Sequence, residues 1–220
     1  MRMSKISTIS FDMDGTLVTP SFANLIWLEV LPQLVSESWG IGIDEAKAQL
    51  FADYRSIGPN RMEWYDLSYW TKRYRLEVNP KKLLLEYKEA VTLYPEVTEV
   101  LEDLKERFDL IVTSNSHRLF LDVTSEPLEG YFKRKFSTIS DFGMMKDTAS
   151  YRKVCEELGI KPYEMVHVGD SLELDYVRAR RAGVKAYYLD RDRKKRGRRF
   201  VPDLRELRNL LLEGIYRIHK

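Results

Sequence analysis

Cysteine is almost missing from this chain: its 220 residues include one, Cys155. A lone cysteine excludes an intrachain disulfide and fits a reducing compartment. Within RKVCEELGI it falls on an apolar helix face, which reads as a buried thiol rather than a nucleophile. Histidine is scarce as well. His117, His167 and His219 do not form a zinc-ligand spacing. His167 lies inside an apolar run and reads as a satisfied core histidine, while His117 lies near a candidate site loop. No window approaches the roughly 20 apolar residues of a membrane span. The opening MRMSKISTIS has no apolar stretch long enough for a signal peptide. The expectation is a cytoplasmic protein with no membrane partner. An excess of one charge is lacking too. The 36 basic and 34 acidic residues leave a formal net charge of +2, which argues against a dedicated nucleic-acid binder. The exception is the run from Arg191 to Arg199 (RDRKKRGRR). It has no interleaved aromatics to stack on bases, and reads as a solvated loop.

An apolar fraction of 44% over this length is enough for a substantial core. Short β-prone runs at Ile6–Phe11, Leu110–Thr113, Met165–Val168 and Lys185–Leu189 alternate with helical patterns, and Ser137–Ser140 reads as a further strand. Helices are expected at Thr148–Leu158, closed by Gly159, at Leu172–Ala182, closed by Gly183, and from Asp203 to about Ile218. This alternation predicts parallel βαβ units: an α/β, Rossmann-like, three-layer sandwich. Residues 17–92 break the pattern. They hold all four tryptophans, Trp27, Trp39, Trp64 and Trp70, and read as helices. Asp44 reads as an N-cap, Glu63–Arg75 as one helix, and Asn79-Pro80 as a cap followed by proline in the first turn. The expected organisation is a core of residues 1–16 and 93–220 with an inserted small helical domain, 17–92, whose tryptophans pack its own core.

Ligands of open parallel sheets bind beyond the carboxyl ends of the strands. Here those ends supply Asp12 and Asp14, then Ser114 and Asn115, then Asp170 with Asp175 a turn later. Lys146 lies on a loop before a helix. Clustered carboxylates resist joint ionisation, and a divalent cation relieves the conflict. Oxygen ligands with little histidine or cysteine favour Mg²⁺ over zinc. A carboxylate can also attack phosphorus, with the metal, a lysine and hydroxyl or N–H donors balancing the charge.

Phe11-Asp12-Met13-Asp14-Gly15-Thr16 resembles the DxDGT motif of the haloacid dehalogenase-like superfamily. Val112-Thr113-Ser114-Asn115 resembles its second motif, Lys146 its third, and Val168-Gly169-Asp170-Ser171 with Asp175 its fourth. The resemblance runs from about Ile6 to Leu210. It implies a phosphatase with Asp12 as nucleophile and Asp14 as acid and then base. It implies Mg²⁺ held by the Asp12 and Asp170 carboxylates and the Asp14 carbonyl. Asp175 would hold a metal-bound water or steady Lys146. Gly15, Thr16, Ser114, Asn115 and Lys146 would bind phosphate, with Gly15 and Thr16 also shaping the first loop. Asp14 is absent from dehalogenases, so its presence favours phosphoryl chemistry. Many relatives have proline after the lysine. Asp147 stands there, which leaves Lys135 and Lys153 as alternatives.

The insert resembles a type-one cap, which implies a small phosphorylated metabolite as substrate. Arg55, Arg61, Lys72 and Arg73 are cationic candidates for contacting it, against their ordinary reading as solvated surface. Phosphoglycolate, sugar phosphates and nucleotide monophosphates all fit. Two other readings are a phosphomutase using the same Asp12 chemistry and a non-catalytic polyanion-binding protein. Monomer and homodimer are equally compatible with the sequence.

Overall fold

The structure, a computed structural model, describes residues 6–197 and 199–216. Six parallel strands form its sheet: β1 (Thr8–Phe11), β2 (Asp109–Ser114), β3 (Arg134–Ser137), β4 (Met165–Gly169), β5 (Lys185–Leu189) and β6 (Phe200–Val201). Their order is β3-β2-β1-β4-β5-β6. β1 therefore lies at the centre, with Phe11 in register with both Val112 and Val168.

Alternation along each strand builds the layers. Ile9, Phe11, Leu110, Val112, Val166 and Val168 face one side, against α6 (Val97–Lys105) and α11 (Leu204–Tyr216). Ile111, Met165 and Ala186 face the other, against α9 (Thr148–Leu158) and α10 (Ala179–Arg181). Both faces are covered, so even the polar strand residues Thr8, Ser10, Thr113 and His167 are buried. The expected α/β sandwich is the observed one. β6, only two residues long, was not foreseen. Ser137–Ser140 is not a strand: β3 ends at Ser137, whose side chain accepts from Ser140 N and caps α8 (Thr138–Phe142). Ile218 lies outside the described residues. Among the described residues, no helix is long and apolar enough to cross a membrane.

Between β1 and α6 the chain is helical. α1 (Ser21–Asn24) runs through a π-helical stretch (Leu25–Val30) into α2 (Leu31–Trp39), followed by α3 (Ile43–Ile57), α4 (Leu67–Arg73) and α5 (Pro80–Glu86). Asn79 caps α5 as expected, accepting from Lys82 N at 3.0 Å. Asp44 does not cap α3: Gly42 holds that position, and Asp44 lies in the first turn, where its charge suits the helix dipole. Glu63–Arg75 is not one helix either. A 3₁₀ turn (Met62–Tyr65) ends at Asp66, which caps α4 by accepting from Ser68 N. The tryptophans are not all core. Trp70 is fully buried, Trp27 and Trp64 are half-buried, and Trp39 is 49% exposed. Nor is their cluster confined to the insert, since Phe120 and Val123 of α7 (Arg118–Thr124) belong to it.

Candidate active site

The loop after β1 is shaped by its own backbone. Leu17 N and Val18 N both donate to Met13 O, and Gly15 N donates to Val18 O. Gly15 carries this turn at φ +74°, a left-handed conformation that favours glycine. A β-carbon there would lie 2.1 Å from Asp170 Oδ2. Gly15 thus also makes room for a carboxylate arriving from β4. Gly169 does the same for Asp175, whose Cγ would meet a β-carbon at 2.3 Å.

Lys146 lies between α8 and α9, 1% exposed, with Nζ 2.8 Å from Asp12 Oδ1 and 2.6 Å from Asp175 Oδ1. The alternatives point elsewhere: Lys135 pairs with Glu129, and Lys153 with Glu156 and Glu157. Asp147, where many relatives have proline, has a job of its own. It caps α9, accepting from Ser150 N at 2.8 Å, so the helix start that orders Lys146 is made without proline. Asn115 Oδ1 accepts from Lys146 N at 2.6 Å and from Thr138 Oγ1 at 3.0 Å. Its Nδ2 is buried without a well-directed partner, and the residue lines the cavity beside Tyr65.

Asp175 is fully buried, and both its oxygens are engaged. Oδ2 accepts from Ser171 N at 2.8 Å; Oδ1 meets Lys146 and also His167 Nε2 at 3.0 Å. Burial opposes its charge, but Lys146 and then His167 outweigh that and hold it well below the usual carboxylate range. His167 Nδ1 lies 2.8 Å from Ser10 Oγ, which donates to Thr113 Oγ1. His167 is therefore a satisfied core histidine, as expected, and it also backs Asp175. Lys146 is raised: burial opposes its charge, and Asp12 and Asp175 more than compensate.

Asp12 is the unbalanced member. Burial pushes its carboxyl up to about 8; Lys146 pulls the other way, and Asp175 and Asp170 add to the rise. One buried lysine shared with Asp175 leaves a negative charge over. Oδ1 has no well-directed hydrogen bond, although Lys146 Nζ is near. Asp170 is raised to about 6 by burial and then by Asp175, although its side chain stands exposed at the mouth, where solvent tempers the effect. Carboxylate oxygens of Asp12, Asp170 and Asp175 lie within 4.8 Å of one another. An all-oxygen cluster with surplus charge and an orphaned oxygen fits a hard divalent cation such as Mg²⁺.

Asp14 is raised by burial, and a bond from Ser116 Oγ to its Oδ2 at 2.6 Å works against the rise. Ser116 N in turn donates to Ser114 Oγ at 3.1 Å. Sequence reasoning passed over Ser116, for which position after the second motif was the available signal. Neither Gly15 nor Thr16 lines the cavity, and Thr16 is fully buried.

A cavity of about 380 Å³ opens over Asp12, Asp14, Ser114, Asn115, Lys146 and Asp170. Trp27, Tyr54, Trp64, Tyr65 and Phe120 form its far wall. Arg55, Arg61, Lys72 and Arg73 do not line it; Arg61 pairs with Glu63, and Arg73 with Asp53. His117 is not at the cavity. Arg191, first of the basic run, is no free surface charge. It donates to Thr16 O at 2.8 Å and Gly15 O at 3.3 Å, pairs with Glu96 at 2.7 Å, and lies 3.4 Å from the Tyr94 ring centre. It ties down the Asp12 loop from behind.

Residues 6–183 match the family model for haloacid dehalogenase-like hydrolases. A HAD phosphatase from Thermococcus onnurineus superposes with a TM-score of 0.81 at 27% identity, covering 93% of this chain and 97% of its own. The GMP/IMP nucleotidase YrfG of Escherichia coli is 25% identical over 170 residues, 76% of this chain and 75% of that protein. The glyceraldehyde 3-phosphate phosphatase of Pyrococcus furiosus is 26% identical over 200 residues, 85% of this chain and 82% of that protein. A match across most of the chain, on the fold and carboxylate cluster described above, places this protein in the haloacid dehalogenase-like hydrolase family.

Proposed function

We propose that the protein hydrolyses phosphoric monoesters with Mg²⁺, through a phosphoryl group carried on Asp12. The observation that carries this reading is the pairing of Asp12 and Asp14 at the cavity floor: one carboxylate beside Lys146, the other held by Ser116. Two of the similar proteins are named for phosphoric monoesters, a nucleotide and a triose phosphate.

In the proposed reaction an Asp12 oxygen attacks phosphorus, and the bond to the leaving oxygen breaks. Asp14 gives its proton to that oxygen. Burial, which holds Asp14 above the usual carboxylate range, suits it to an acid's part. Asp14 then takes a proton from water, whose oxygen attacks phosphorus and frees the Asp12 carboxylate and inorganic phosphate. Asp12 and Asp170 would hold Mg²⁺, with the Asp14 carbonyl. When bound, the ion supplies the positive charge that keeps Asp12 ionised and neutralises phosphate. Lys146, Ser114 and Asn115 Nδ2 would meet the phosphoryl oxygens. Asp175, with both oxygens engaged, is better suited to positioning Lys146 than to ligating the ion. Residues 17–92 would act as the cap that roofs the site and shields it from bulk water. The proposed setting is the cytoplasm.

The test is hydrolysis of p-nitrophenyl phosphate and a panel of metabolite monoesters by wild type and Asp12→Asn, with Mg²⁺ and with EDTA. Activity that requires both Asp12 and Mg²⁺ is expected. EDTA-resistant activity that survives Asp12→Asn overturns the mechanism.

A further inference from the structure

The cavity has two unlike halves. Its floor carries the carboxylates and Lys146; its far wall is aromatic. That wall is one connected surface. The Trp27 and Phe120 rings stack at 5.6 Å with 8° between their planes, and Tyr54 meets Trp27 and Trp64 edge-on at 6.3 and 5.9 Å. Packing of the helices does not use these rings up. Trp70, deeper in the same cluster, is fully buried, whereas Trp27, Trp64 and Tyr65 keep part of their surface open at the cavity. The hydroxyls of the wall's two tyrosines are already engaged. Tyr54 Oη donates to Trp27 O and Tyr65 Oη to Pro59 O, both at 3.1 Å.

Charge narrows the choice further. Among the described residues, Lys146 is the sole cation lining the cavity, and Asp12 and Asp175 already engage it. A second anionic group on the substrate, a carboxylate or another phosphate, would lose its water here and gain no partner. A polyhydroxylated leaving group would set its hydroxyls against ring faces. A flat, uncharged ring loses little on leaving water and gains stacking area.

Resting on the phosphomonoesterase reading, we infer that the preferred substrate carries a flat, uncharged ring on its leaving group, the chemistry of a nucleoside 5′-monophosphate. The phosphate meets the floor while the ring lies on the Trp27–Trp64 wall. Trp64 is a specificity determinant rather than a catalytic residue.

Two measurements test this separately from the reading beneath it. The first compares kcat/KM for adenosine and guanosine 5′-monophosphates with phosphoglycolate, glucose 6-phosphate and fructose 1,6-bisphosphate, in wild type, Trp64→Ala and Trp64→Phe. The nucleotides are expected to be preferred at least about tenfold. Trp64→Ala should raise their KM by about tenfold, the scale of one lost base–aromatic stack. Its effect on glucose 6-phosphate should be smaller than on the nucleotides, and Trp64→Phe should restore most of the loss. The second titrates adenosine, which has no phosphate, into EDTA-treated protein by calorimetry; binding to wild type and weaker binding to Trp64→Ala are expected. Preference for phosphoglycolate or the bisphosphate, or no adenosine binding by an active enzyme, overturns the inference. Adenosine binding with no ester hydrolysed supports the ring site and overturns the phosphatase reading instead.

Discussion

Lys146 and Asp175 meet at 2.6 Å where neither is open to solvent. Each stays charged there because of the other, and Asp12 borrows from the same lysine. Removing one partner of a buried pair strands the other's charge, typically costing about 3–5 kcal/mol. Asp175→Asn keeps the shape and removes the charge. We predict a loss of about 3 kcal/mol in urea unfolding, with activity falling because Lys146 loses its anchor. Unchanged stability would show that Asp12 alone holds the lysine.

The surplus negative charge predicts a pH dependence for metal-free protein. Asp12 is held up at about 8, while an unfolded carboxyl titrates near ~3.9. Between those values the folded chain keeps a proton that the unfolded chain has released, so stability falls as pH rises. Asp170, at about 6, adds to the decline over its lower part. Asp175 has the opposite sign, and its stabilising effect is lost only as pH falls below the ordinary carboxylate value. Below about pH 6.5 buried His167, lowered by burial, acts against this decline. In EDTA, stability measured by urea unfolding should therefore drop from about pH 6.5 to pH 8, and saturating Mg²⁺ should flatten the drop. A rise over that range in EDTA would mean that Asp12 is already compensated.

Gly15 serves the Asp12 loop and Asp170 together. Gly15→Ala places a methyl on Asp170 and forces a left-handed alanine, the latter alone costing about 1–2 kcal/mol. Mg²⁺ affinity by calorimetry should weaken at least about tenfold, since a displaced carboxylate is a lost ligand. Wild-type Mg²⁺ affinity in a folded Gly15→Ala protein would remove Asp170 from the proposed ligand set.

Members of the basic run should differ sharply. Arg191→Ala frees two loop carbonyls and leaves Glu96, 4% exposed, without its partner, so a loss of about 2 kcal/mol and reduced turnover are expected. Arg196 is exposed, and Arg196→Ala should change stability by less than about 0.5 kcal/mol. Thermal unfolding and initial rates for the two variants decide this.

Arg191 also shows where sequence reading ended. Its guanidinium reaches back 176 positions to Gly15, and in RDRKKRGRR nothing separates it from neighbours that face water. The strands and motif loops were legible because each is local: an apolar run ends where a carboxylate begins. Lys146 was legible by position, though Asp147 obscured it by capping α9 with a side chain where proline was expected. Ser116 was not legible, since serine in a loop has many roles and only its 2.6 Å bond to Asp14 selects one. The tryptophans were misjudged together because helical spacing says that a face is apolar, not what lies opposite. For Trp70 it is other side chains, and for Trp27 and Trp64 it is the cavity. β6 is held by pairing with β5, which no two-residue segment announces.

The two crossings between the sheet and the helices of residues 21–86 run side by side. Val18 bridges to Asp14 on one side and Leu93 on the other, and Thr19 N donates to Thr92 O. So short a ribbon sets the two crossings edge to edge beside Asp14. Trp27 and Phe22 also reach Phe120, so these helices are joined to the sheet layer through α7 as well. The aromatic wall and the carboxylate floor are thus fastened to one another at two separate places, the ribbon at Val18 and the ring contacts at Phe120.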